Sequence, residues 1–188
     1  MTLTYGNASN EVIDKVTFFY MNYFDVSPLN DLAADFFFNI PAVQYVEGLT
    51  QDFPRRPSKT YLLYFKHFPK FLTGDVQGMA HAVDLLYLFD AGNLDVLKMV
   101  PYPYNANSCG PVDKALKYKY MHMLSAFVKT GNPNKGLGGD LICDWPPFDP
   151  QRRSYLQFSE FSEVKNDVNG DRVRLWRERI PMWIKQYP

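Results

Sequence analysis

Three features of the sequence predict an α/β fold. Residues 113 to 130 carry apolar side chains at helical spacing. Two short aromatic-rich runs, "KTYLLYF" (Lys59 to Phe65) and "SYLQFS" (Ser154 to Ser159), read as strands. Further helical patterns stand near both ends of the chain. Helices that alternate with strands imply a layered architecture. Only two strands are convincing, and a layer of this type needs several parallel strands before its faces are covered. The sheet is therefore expected to be incomplete, part of a larger domain.

Taken in order, residues 12 to 24, "VIDKVTFFYMNYF", read as a first helix. Ser27-Pro28 is a helix start, because serine can cap free backbone N–H groups and proline is tolerated in the first turn. From there Leu32, Phe36, Ile40, Val43 and Val46 recur at near-helical spacing, and Pro41 is expected to bend or break the helix. The strand at 59–65 is bounded by Pro57 and Pro69. The helix at 113–130 presents Leu116, Tyr120, Met123, Leu124 and Phe127 on one face. Asp113 suits its N-terminus, Lys129 its C-terminal dipole, and Gly131 its left-handed stop before Pro133. "WPPFDPQ", Trp145 to Gln151, reads as a proline-rich turn region. A last helix, 171 to 186, is expected to bury Val173, Trp176, Ile180 and Trp183 with a kink at Pro181.

With 188 residues and 21.8 kDa, one core is the default. Lys+Arg 20 against Asp+Glu 20 leaves a net charge of +0, so no global field favours nucleic acid or an anionic membrane, and no nucleic-acid partner is expected. Aromatics at 16% suit a large core or an apolar binding gorge. No apolar run reaches the ~20 residues that span a bilayer, and residues 1–10 lack the pattern of a signal peptide. Cys109 and Cys143 are either a disulfide or two unrelated thiols. Asn7-Ala8-Ser9 makes Asn7 a glycosylation candidate if the chain is secreted.

Histidine chemistry rests on His67, His81 and His122. His122 lies between Met121 and Met123, and His67 follows a strand in "FKHFPK"; both fit surface or satisfied core histidines. His81 differs, because "GMAHAVDLLYLFD" (Gly78 to Asp90) surrounds it with small residues that leave room for a substrate, and Asp84 follows three positions later. No HxxxH, HExxH or CxxC spacing supports a metal, and no cofactor motif is present. "GLGGD", Gly136 to Asp140, lacks the Walker lysine and the GxGxxG spacing and reads as a loop. Arg172, Arg174, Arg177 and Arg179 read as a solvated helix face. Of Ser9, Ser27, Ser58, Ser108, Ser125, Ser154, Ser159 and Ser162, none has glycine at both second neighbours, so the GxSxG elbow of an α/β serine hydrolase is missing. A histidine with no hydroxyl to deprotonate cannot run acyl transfer.

Read as blocks, these segments resemble the C-terminal third of type B carboxylesterases, the family that includes cholinesterases and juvenile-hormone-type esterases. "GMAHAVDLLYLF" resembles the family's catalytic-histidine segment. "ADFFFNIPAVQYVE" (Ala34 to Glu47), "AFVKTGNPN" (Ala126 to Asn134), "WPPFDPQRRSYLQFS" and "RLWRERIP" (Arg174 to Pro181) are similar to further family blocks in family order, from about residue 12 to the end. The histidine segment is nearer to invertebrate carboxylesterases than to cholinesterases, which carry Gly then Tyr after the histidine.

The resemblance implies one partial α/β-hydrolase domain over residues 1–188, the C-terminal portion of a serine carboxylic-ester hydrolase. In it His81 is the triad base and Asp84 a nearby acidic group. The nucleophile, triad acid and glycine-rich oxyanion hole would lie upstream, in the missing N-terminal part of the same domain. The substrate of the complete enzyme would be an apolar small-molecule ester, and the 188-residue chain is expected to be inactive by itself. Secretion or the endoplasmic reticulum lumen is carried over from the family. The rival expectations are a non-catalytic esterase-like adhesion or interaction protein, and a truncated product without function.

Overall fold

The computed structural model describes residues 8–23, 27–52, 58–72, 82–89, 109–135 and 143–187. In chain order the elements are α1 (Asn10–Tyr23), α2 (Pro28–Ala34), α3 (Ile40–Asp52), β1 (Leu63–Phe65), α4 (Leu85–Leu88), α5 (Pro111–Thr130), β2 (Tyr155–Phe158), β3 (Glu163–Lys165), α6 (Gly170–Arg174) and α7 (Ile180–Gln186). This is a mixed helix and strand fold with a small three-stranded sheet, as expected of part of an α/β-hydrolase. Two compact units divide it: residues 1–48 with 169–188, and residues 49–168.

The first unit is helical, and its local structure answers two prolines. Pro41 has no N–H, and its ring would press on the carbonyl of Phe37, four residues back. The chain does not break there. A π-turn over Asp35–Asn39 widens the helix just before the proline, and the N–H of Ile40 reaches back five residues to the carbonyl of Asp35. The second Ile-Pro step repeats the device: a π-turn over Leu175–Arg179 precedes Pro181, with the N–H of Ile180 donating to Leu175. The helix thus runs on past Pro41 without a break, and a π-turn precedes Pro181, where a kink is expected. Ser27 precedes α2 but makes no capping bond with its side chain, which corrects the expected cap; its carbonyl accepts from the N–H of Asp31 at 3.0 Å.

This unit buries polar contacts among its apolar ones. Val12, Phe19, Tyr20, Ile40, Val43, Val46, Val173, Leu175, Trp176 and Ile180 are buried, and so is Asp35, at 0% exposure. Asp35 accepts from the Tyr20 hydroxyl at 2.7 Å and the Asn39 amide at 2.8 Å, with Arg172 Nε at 3.2 Å. Trp176 Nε1 in turn donates to the Tyr20 hydroxyl at 2.7 Å. Arg172, also buried, reaches Asp31 at 3.2 Å, and Arg177 pairs with the buried Glu47. The reading of the four arginines as mostly a solvated face fails for the buried Arg172, whereas Arg177 is exposed and reaches Glu47 from the surface. Alternate arginines on a helix lie on different faces, and these two turn toward carboxylates that only the fold brings near.

The second unit contains the sheet. β1 and β2 are parallel, with Leu63 opposite Leu156, Tyr64 opposite Gln157 and Phe65 opposite Phe158. The ladder continues past both ends of β1, through Leu156 N–H to Leu62 O at 2.9 Å and Lys66 N–H to Phe158 O at 2.8 Å. β3, which has no apolar signal in the sequence, pairs antiparallel with β2. Its turn is set by Ser162, whose hydroxyl accepts from Ser159 N–H and donates to Ser159 O. α5 ends at Gly131, with φ +70°, whose N–H donates to Phe127 O at 2.7 Å, the expected left-handed stop.

Around this sheet the aromatic side chains form one core. Phe71, Leu72, Val83, Leu86, Tyr87, Leu116, Tyr120, Met123, Trp145, Leu156 and Phe158 are buried together. Phe65 is its hub, stacked on Phe158 at 5.3 Å and meeting Tyr87 at 5.2 Å and Tyr120 at 5.5 Å. Phe127, expected on the core face of α5, is 40% exposed and touches only the rim, edge-on to Tyr61. Part of the high aromatic content thus goes into this core, while other aromatics, among them Phe18, Phe37, Tyr45 and Phe161, are exposed.

Candidate functional site

The segment after His81 enters the core as a tight turn and a single helical turn. His81 itself lies outside the described residues, as do Asn7 and "GLGGD". Ala82, the next residue, has φ +66°, a left-handed conformation that a side chain disfavours by about 1–2 kcal/mol. The carbonyls of Ala82, Val83 and Asp84 then accept from Leu85, Leu86 and Tyr87 at 3.0–3.1 Å, winding the chain into α4. Glycine at 82 should relieve the strain at some cost in unfolded-chain entropy. Ala82→Gly is expected to stabilise the chain by up to about 1 kcal/mol, read as a rise in urea midpoint. A fall in the midpoint would show that the methyl group packs usefully.

Asp84 stands at the N-cap of α4, half-buried, with no capping bond from its own side chain. Its carboxylate instead faces the Tyr120 hydroxyl on α5, at 3.5 Å. Burial, then the charge of Asp84, pushes the Tyr120 phenol well above its ordinary range, so this phenol is a hydrogen-bond donor and not a base.

A buried polar cluster of this unit contains His67, which is a satisfied core histidine as its sequence context suggests. His67, two residues past β1, places Nε2 at 2.8 Å from Asp113 Oδ1, and the Tyr87 hydroxyl donates to the same oxygen at 2.5 Å. All three are buried, at 7%, 2% and 1% exposure. A carboxylate only accepts, so Nε2 is the protonated ring nitrogen here. Burial, reinforced by Asp113, pushes the Tyr87 phenol far up. Asp113 stands in the first turn of α5, as expected of an acidic residue at a helix N-terminus, and is also the acceptor of this cluster. The signal was available, since Asp113, Leu116 and Tyr120 share one helical face by their spacing.

The remaining candidates separate from this cluster. His122 lies on α5 with its ring 4.1 Å from that of Tyr118, in keeping with a structural histidine. Cys109 and Cys143 are free thiols, both half-buried beside the core. Burial, then the charge of Asp144, pushes the Cys143 thiol up, which makes it a poor nucleophile. No group of three or more potential metal ligands occurs among the described residues. Nor is any described helix long and apolar enough to cross a membrane.

Comparison with known proteins agrees with this architecture. The model of a family described as the carboxylesterase family matches residues 3–176. The chain is also similar to neuroligin-1 of Caenorhabditis elegans, 25% identical over 180 residues that cover 84% of this chain and 21% of that protein. It therefore spans about a fifth of the length of that relative.

Proposed function

Because the chain belongs to the carboxylesterase family, we propose that it supplies the histidine of a serine carboxylic-ester hydrolase. His81 is the base that takes the serine proton during attack on the ester carbonyl and returns it to the leaving alcohol. The observation that carries this reading is the His81 segment itself, a small-residue run that leads through the strained Ala82 into α4 beside the aromatic core. Asp84 lies too close in sequence to stand in for the family's triad acid and is a neighbouring polar group. Since no serine of these 188 residues has an elbow's glycines, the nucleophile must come from sequence outside them. The family match runs through both compact units, which supports reading residues 1–188 as part of one α/β-hydrolase domain. The substrate class is an ester with an apolar acyl or alcohol group, and the compartment is extracytoplasmic, as in the family.

Hydrolysis of a p-nitrophenyl ester tests the reading. The 188-residue chain is expected to show no turnover. If the transcript upstream of Met1 encodes GxSxG, the extended protein is expected to turn over, and His81→Ala to reduce kcat by at least about 10³-fold. Turnover by the chain alone that His81→Ala abolishes, or activity of the extended protein that His81→Ala leaves intact, overturns it.

A second reading, a non-catalytic esterase-like interaction protein, is favoured by the similarity to neuroligin-1. The upstream transcript discriminates here as well, because a replaced elbow serine would support binding over catalysis.

A further inference from the structure

Three elements that are far apart in the chain meet on one oxygen atom. His67 follows β1, Tyr87 belongs to α4, Asp113 lies in the first turn of α5, and both donors address Asp113 Oδ1. We infer that His67, Asp113 and Tyr87 form a positioning lock that holds α4, the helix entered from His81, against the end of β1 and the start of α5. Its importance for catalysis rests on the reading of His81 as triad base; the lock itself does not.

α4 needs such a device. Four residues cannot sustain a helix by their own hydrogen bonds, since nucleation costs more than one turn returns. Its entry is strained at Ala82, which persists only if the surroundings hold the turn in place. The lock connects it to the stiffest parts of this unit. Lys66, beside His67, is still bonded to Phe158 in the sheet ladder at 2.8 Å, and Asp113 stands in a 20-residue helix. Rigidity therefore passes from the sheet through His67 to Asp113, and from Asp113 through the Tyr87 hydroxyl to α4. The Tyr87 ring is separately packed between Phe65 and Phe71, at 5.2 and 5.9 Å between centroids, so the hydroxyl can be removed without emptying the core. His67, Tyr87 and Asp113 act through α4 and are positioning residues.

Amide hydrogen exchange on the 188-residue chain separates a lock from ordinary core polarity. The N–H groups of Leu85 to Phe89 are all hydrogen-bonded in the turn and helix and report directly on its opening. Tyr87→Phe is expected to accelerate their exchange by about 10-fold or more, the consequence of losing a hydrogen bond to a charged acceptor. Amides of β2 and of the second half of α5 should change by less than about 3-fold on the same scale. His67→Gln keeps an N–H donor near Oδ1 and should leave α4 close to the parent protein, whereas His67→Ala should loosen it. An unchanged α4 in Tyr87→Phe, or an acceleration spread evenly over the unit, overturns the lock. So does His67→Gln behaving like His67→Ala. A normal exchange response combined with esterase activity insensitive to His81→Ala would sink only the reading of His81 as base.

Discussion

Arg172→Met is expected to destabilise the helical unit by about 3–5 kcal/mol at neutral pH, the usual cost of leaving one partner of a buried ion pair uncompensated. Arg172 is the cation beside Asp35, which is 0% exposed, and it also reaches Asp31. Urea unfolding followed by circular dichroism measures the loss. Removing both charges, in Arg172→Met with Asp35→Asn, should recover much of it, because a neutral pair avoids the desolvation that a lone charge suffers. A single-variant loss below about 1 kcal/mol would show that the pair is solvated and that Arg172 acts mainly through packing.

The same pair sets a pH dependence with a definite sign. Burial raises the Asp35 carboxyl above its ordinary 3.8, although Asn39, Arg172 and Tyr20 pull it down. The folded state then holds the proton at a pH where the unfolded chain has released it. This group's favourable contribution is complete below the ordinary value and is lost as pH rises through the raised one. Arg172→Met removes one of the lowering influences and should move that loss to higher pH. Its destabilisation should shrink on acidification, and Asp35→Asn should abolish the effect.

Phe158→Ala is expected to cost the sheet-bearing unit about 3–5 kcal/mol, the range for deleting a buried aromatic ring. Phe158 has 0% exposure, stacks on Phe65 at 5.3 Å and meets Tyr120 at 5.2 Å, so three elements lose their common contact. Phe127→Ala on the rim, with 40% of its surface already exposed, should cost less than about 1 kcal/mol. Paired urea titrations compare the two. Equal losses would mean that Phe158 contributes no more to the core than a side chain on its rim.

The contrast between Phe127 and Phe158 also shows where sequence reading stops. Spacing puts Phe127 on the apolar face of α5 correctly, but how far that face is covered depends on what packs against each turn. Near the C-terminus Phe127 meets Tyr61 edge-on and stays 40% exposed. Asp113 shares the face of Leu116 and Tyr120, yet a carboxylate on a buried face is explained only by donors, and these come from 46 and 26 residues away. Arg172 looks like surface charge until a helix distant in sequence brings Asp35 to it, and the exposed Arg177 meets the buried Glu47 in the same way. β3 has three residues, with Glu163 and Val164 exposed, and exists because β2 offers an edge.

The block resemblance pointed to the family, which the match over residues 3–176 shows. Local chemistry alone determined much else: the helices read at 12–24 and 113–130, the glycine that ends the latter, and two of the three described strands. These follow from backbone propensity and spacing, which act over a few residues. Tertiary structure decided the rest. It set π-turns before Pro41 and Pro181, paired Leu63 with Leu156, and brought His67, Tyr87 and Asp113 together. Burial and hydrogen-bond satisfaction are properties of the assembled core, because the cost of hiding a polar group is set by partners that the chain supplies only when it folds.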